Sequence, residues 1–278
     1  MATGNLRQPD LMPDLDETFR FQEEEEDGAS MTLVEHLEEL RWRIFKSLIA
    51  VVVGAVVAFI FREPILHFLT LPLPTLTAGQ RLDSHGELAG RGLITIGLAE
   101  GFTVFLKVSI AVGILLAMPV ILYQAWAFIA PGLYRHEKRA ALPFLILGSL
   151  LFVAGIGLGF VVLQYPVQWL IAFSSGDFVE LVSADSYFTF VAFFLLAFGI
   201  VFEIPLVLTF LAKLGIVSAE TLKRRRAASH VGLWIASTFL TPGADFYSPI
   251  ILGVTMSCLY ELTILLIRFM VRPSKAGA

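Results

Sequence analysis

Three carboxylates draw the eye because of where they fall in an apolar chain. Glu39 sits in the segment Thr32-Leu33-Val34-Glu35-His36-Leu37-Glu38-Glu39-Leu40-Arg41-Trp42-Arg43, directly before the first long apolar run. Thr32 and Glu35 have the spacing of a capping box, in which hydroxyl and carboxylate satisfy free backbone amides at a helix start. Leu33, Leu37, Leu40 and Ile44 share one helical face, while Glu35, Glu38 and Glu39 lie on the other. Glu39 either pairs with Arg43 at i,i+4 or contributes to an acidic patch for a basic ligand. Glu137 is the only acid of the basic stretch Pro131-Gly132-Leu133-Tyr134-Arg135-His136-Glu137-Lys138-Arg139. It either balances the charge of that loop or joins Glu39 in binding a pair of guanidinium groups, since each carboxylate can accept a bidentate fork. Glu203 lies inside a long apolar run, with Pro205 two residues on. A lone carboxylate at such depth costs about 2.5–3.5 kcal/mol on insertion scales, so it must face protein or a wet cavity. It is either a polar anchor between helices or a polar spot in a groove that a ligand or partner uses.

Other chemistry is hard to find. The one cysteine, Cys258, reads as packing, and the five histidines at 36, 67, 85, 136 and 230 are scattered rather than grouped at metal-ligand spacing. Gly155-x-Gly157-x-Gly159 lies within an apolar run, where it serves helix packing rather than a dinucleotide. Nucleophile elbow, HExxH and P-loop patterns are all missing. We therefore expect neither a cofactor, a metal nor an enzyme. Lys223, Arg224, Arg225 and Arg226 read as a topology signal, with lipid headgroup binding as the lesser alternative. Asp245, in Thr241-Pro242-Gly243-Ala244-Asp245, either caps the next helix or touches a partner. Pro119, Pro131 and Asp245 are read as structural turn positions.

The elements that must hold these residues are membrane helices. Hydrophobic residues make up 56% of the 278, charged residues 16%, and the mean hydropathy is +0.77; soluble domains average about 45–50% apolar and roughly 25% charged. Apolar runs of about 20 residues fit a bilayer core about 30 Å thick. They predict spans at about 44–61, 103–130, 140–163, 188–212, 227–240 and 247–267, the last two short and joined as a hairpin. A short interfacial helix over 32–43 precedes them. The net charge of −4 is a property of the tail: residues 1–30 hold nine carboxylates and two arginines, and we expect them to be disordered. Residues 271–278 form a second tail. If the N-terminus is cytoplasmic, Arg41, Arg43, Lys46, Arg135, Lys138, Arg139, Lys213, Lys223, Arg224, Arg225, Arg226, Arg268, Arg272 and Lys275 are inside, and only Arg62, Arg81, Arg91 and Lys107 are outside. The excess of inner cations predicts six spans with both ends inside. The loop 62–100 should cap the outer face, and 164–187 should form a second outer loop. A proton-coupled solute transporter with Glu203 as relay is the alternative from another class, but it would show more intramembrane ionisable groups or paired repeats.

Four stretches together resemble one family, the TatC subunits of the twin-arginine protein translocase. They are His36–Arg43, with its H-L-x-E-L-R core; Ala117–Tyr134 followed by His136–Arg139; Ala197–Pro205; and Leu240–Asp245. The likeness runs from about residue 31 to 270. It implies an all-α integral membrane protein of six helices in a curved, glove-like arrangement. It implies a receptor subunit, without cofactor, in a prokaryotic plasma membrane. Such a subunit binds twin-arginine signal peptides of folded cargo and organises single-span TatA/TatB-type partners for export driven by the proton motive force. By matching positions, Glu39 and Glu137 would bind the two arginines, with Phe128, Arg139 and Arg41 on that surface. Glu203 and Pro205 would lie in the membrane groove where the single-span subunits dock. A homo-oligomer within the receptor complex is expected, and no nucleic acid. Pro249 stands where some relatives carry Gln, which leaves a polar partner contact there unsupported.

Overall fold

In the computed structural model the described residues are 33–73, 93–129, 141–174, 182–243 and 245–270. The chain divides into two units at Trp42/Arg43. Of the first, residues 33–42 are described and are helical. The acidic tail, the loop residues 131–140 and the C-terminal tail 271–278 lie outside the described set.

Ten helices follow one another in the described residues: α1 (Leu33–Ile60), α2 (Arg62–Leu69), α3 (Glu100–Ile129), α4 (Ala141–Val162), α5 (Gln164–Ser174), α6 (Ala184–Phe202), α7 (Ile204–Lys213), α8 (Ala219–Arg224), α9 (Arg226–Leu240) and α10 (Tyr247–Met270). Two-residue strands β1 (Leu93–Ile94) and β2 (Val182–Ser183) pair in parallel. The chain is thus an all-α membrane protein, with a small two-stranded sheet among the described residues. Five stretches among the described residues are long and apolar enough to cross a bilayer: Val34–Ile60, Glu100–Ile129, Pro143–Phe173, Ala184–Lys213 and Tyr247–Phe269. The stretch expected at 227–240 is α9, whose 15 residues reach about 22 Å. Its partner is not short. α10 has 24 residues, about 36 Å, and ends at Met270 rather than at the expected 267. Gln164–Ser174, expected as loop, is also helical.

Proline sets the joints. Helices break at Phe61, Leu163 and Glu203, and Pro64, Pro166 and Pro205 follow within three residues. Each proline lacks the N–H that the carbonyl four residues back would accept. At the third joint the chain tightens: Glu203 N donates to Ile200 O at 3.1 Å, and the next helix resumes with Val207 N to Glu203 O at 3.0 Å. Pro119 behaves differently. It lies inside α3 and the helix runs through it, so it marks no turn.

Packing centres on α6, whose Val191, Phe194 and Phe198 are fully buried. Lipid tails are as apolar as these side chains, so close van der Waals contact carries the association rather than water exclusion. Glycines make room for it. A methyl group on Gly155 of α4 would stand 2.7 Å from Phe198 O, and one on Gly199 of α6 2.6 Å from the Phe152 ring. Gly159 lies against Phe198, whereas Gly157 has nothing within 4 Å. The packing seam therefore uses the i,i+4 pair Gly155/Gly159. A second backbone approach joins α1 to α3, with a methyl on Gly113 2.5 Å from Ala55 N.

Polar ties close the end that carries the strands. Glu100 Oε1 accepts from Ser183 Oγ at 2.7 Å and Asp185 N at 3.2 Å. Its Oε2 accepts from Gly97 N at 3.0 Å and from Ile96 N. Lys107 Nζ meets Asp185 Oδ1 at 2.7 Å, and the Tyr187 hydroxyl donates to Leu69 O at 2.8 Å. The described parts of the first long loop are thereby fastened to the start of α6.

Candidate functional site

The α6–α7 joint puts Glu203 among helices rather than toward lipid. It is 7% exposed. Its Oε2 stands 3.3 Å from where a methyl on Gly148 of α4 would be, beside Leu122 of α3 and Leu206 of α7. Among the described residues neither of its carboxylate oxygens has a hydrogen-bond partner. A buried group of this kind usually finds one, because leaving it bare costs about 1–3 kcal/mol. Pro205 is buried two residues away and fixes the turn that aims the side chain.

The far end of α3 is set by three rings. Trp126 packs against Phe144 of α4 (centroids 4.8 Å) and Phe210 of α7 (5.1 Å), and those two meet at 5.7 Å. Half-buried Phe128 follows on the last turn. Pro131, Glu137 and Arg139 lie beyond it, outside the described residues. In the N-terminal unit, Glu39 is half-buried and Arg41 is exposed, its guanidinium carbon 5.8 Å from the Trp42 ring centre.

Asp245 is 6% exposed and caps α10. It accepts from Ser248 N at 2.6 Å and from Ser248 Oγ at 2.7 Å. Of the two roles open to it from sequence, the cap is the one its contacts fill.

A further polar cluster was not anticipated. Glu261 of α10 accepts from Arg226 Nε, and its Oε1 lies 2.9 Å from His230 Nε2. The neighbouring Tyr260 hydroxyl donates to Leu222 O at 3.0 Å and lies 3.0 Å from Ser229 Oγ. One signal was available: Arg226 and His230 are four apart, so a helix places them on one face.

Comparison with known proteins settles the family. The sequence pattern described as "Sec-independent protein translocase protein (TatC)" matches residues 35–254. The chain belongs to the TatC family. It is 41% identical to the TatC of Desulforapulum autotrophicum over 242 residues, 87% of this chain and 85% of that one. It is 36% identical to the Escherichia coli K12 TatC, covering 86% and 89%. Among solved structures, a crystal structure of the twin-arginine translocase receptor TatC superposes with a TM-score of 0.69 at 34% identity, covering 86% of this chain and all of that one. A second, in DDM, gives 0.71. Membership of the TatC family makes the chain a protein-transport subunit rather than an enzyme. Glu39, Phe128, Glu137, Glu203 and Asp245 all fall within the stretch matched to the family, and Glu261 lies beyond it.

Proposed function

We propose that this chain is the receptor of its translocase, holding twin-arginine signal peptides at the cytoplasmic face through Glu39 and Glu137. Two anions suit a ligand with two adjacent guanidinium groups, and charge-assisted bidentate pairs are strong and directional. Phe128, Arg41 and Arg139 complete the surface. The carrying observation is the likeness to the solved receptor across 86% of the chain at 34% identity. The six-span topology with both ends inside belongs to this reading, with α9 as the short span. The distribution of Lys and Arg supports it.

Glu203 and Pro205 mark the place where a single-span TatA/TatB-type subunit docks. Support comes from the carboxylate itself: 7% exposed and bare on both oxygens among the described residues, it has hydrogen-bonding capacity for a polar group on an incoming helix. Assembly of several receptor copies in the inner membrane is part of the same proposal.

The test is capture of a twin-arginine peptide by the full chain in detergent. Glu137→Lys should abolish capture while insertion persists. The Lys-Lys peptide should bind at least roughly tenfold more weakly, since Lys keeps the charge but loses the fork. Equal capture of both peptides by the native chain would refute the site.

A further inference from the structure

Polar groups are distributed unequally between the two ends of the α9–α10 hairpin. At the turn end the only described charge is Asp245, consumed in capping. The opposite end carries Lys213, Lys223, Arg224, Arg225, Arg226 and Arg268 against Glu220 and Glu261. Glu261 is taken by Arg226 and His230. Among the described residues Lys223, Arg224 and Arg225 have no ion-pair partner, and all three are exposed. Glu220, exposed on the same short helix, is the remaining carboxylate facing them.

These cations are not on a loose tail. Ser218 caps α8, its hydroxyl accepting from Thr221 N at 3.1 Å. Ala219 and Leu222 are buried against Tyr260, Ile264 and Ile267 of α10. The Tyr260 hydroxyl clamps Leu222 O from below. Directly along α9 from this turn the surface becomes apolar and exposed, through Val231, Trp234 and Ile235. A fixed group of cations at the end of an exposed apolar helix face matches a lipid: phosphate above, acyl chains below. The shortness of α9 strengthens the match, because about 22 Å of helix draws headgroups inward.

From this geometry we infer that the α8–α9 turn binds the headgroup of an anionic phospholipid, with Lys223, Arg224 and Arg225 as its phosphate ligands. The arginines supply planar forks for phosphate oxygens, and Lys223 supplies a point charge. Arg226 is held out of the site by Glu261, which fixes the turn. This inference rests on the receptor reading only for the leaflet, which that reading makes the inner one.

The test reconstitutes the full chain in nanodiscs of phosphatidylcholine with one part in five phosphatidylglycerol. Detergent extraction and mass spectrometry then give the lipid retained per chain. The native chain should keep phosphatidylglycerol at roughly twice its bulk share, and the excess should disappear at 0.5 M salt. The variant Lys223→Gln/Arg224→Gln/Arg225→Gln, checked for helicity and monodisperse elution, should fall to the bulk ratio. Glu220→Gln, which leaves the fold's contacts in place, should raise the ratio. Equal retention by native and triple variant, or a fall in Glu220→Gln, overturns the site. If inorganic phosphate raises the melting temperature in pure phosphatidylcholine discs as much as phosphatidylglycerol does, the site is one for soluble anions and the lipid assignment fails. A nanodisc offers both leaflets, so this outcome is independent of topology. Lost peptide capture with lipid retention intact would strike the receptor reading alone.

Discussion

Glu203 and Glu261 are two carboxylates set in apolar helices, and their surroundings are opposite. Glu261 gathers Arg226 and His230 from α9 onto one oxygen. Glu203 is more deeply buried, yet has no partner for either oxygen among the described residues. Depth in the helix therefore does not tell what an intramembrane acid is for. Glu261 is a structural pin: its removal strands two basic groups, and its side chain is still one-third exposed. Glu203 has no such tie among the described residues; under the proposed docking its hydrogen-bonding capacity would serve another molecule. If Glu203 is the docking group proposed above, the contrast follows the general trade in which a functional polar group is tolerated at the expense of stability.

The contrast can be broken by substitutions that should act with opposite sign. Glu261→Leu should lower the stability of the full chain by about 3 kcal/mol, since hydrogen bonds to charged groups are worth about 1.5–3 kcal/mol. Unfolding of purified chain in detergent measures it; an unchanged midpoint would remove the pin. Glu203→Leu should raise stability by about 2 kcal/mol, by deleting a bare buried polar group, while co-purification of a single-span subunit is lost. A fall in stability there would mean that Glu203 has a structural partner after all. The smallest effect tests how Glu203 is seated. Gly148→Ala puts a methyl 3.3 Å from its Oε2 and under 3 Å from the tips of Leu122 and Leu206. It should cost about 1 kcal/mol, and less when combined with Glu203→Ala, a non-additivity that a double-mutant cycle reads directly.

Much of the architecture was legible along the chain. Hydropathy located the apolar runs. The joints at Pro64 and Pro166 were not read from the sequence, although a missing N–H is a local fact, and Pro119, read as a turn, lies inside α3. Gly155, Gly157 and Gly159 could be recognised as packing residues, but not which of them pack. Only the helix phase against Phe198 selects Gly155 and Gly159 and leaves Gly157 facing open space. The last span, expected over 247–267, starts where expected and runs three residues further, to Met270; Glu261, paired with Arg226 and His230, does not interrupt it. Gln164–Ser174 reads as loop because its polar residues dilute the apolar run, while in the fold Trp169 packs edge-on to Phe246 and tilted against Tyr247. Glu39, Phe128 and Glu203 are singled out by resemblance and by rarity of charge, whereas nothing in the sequence pointed to the ties of Glu100. Its ligands Ser183 and Asp185 stand 83 and 85 residues away.

The sequence by itself determined the membrane class, the positions of the long apolar helices and the family, because apolar length and motif order are written in neighbouring residues. The tertiary structure alone decided which acid is satisfied. Arg226 and His230 reach Glu261 across separations of 35 and 31 residues, and Glu203 faces Gly148 from another helix. Hydrogen-bond satisfaction depends on the three-dimensional positions of donors, which no local pattern contains.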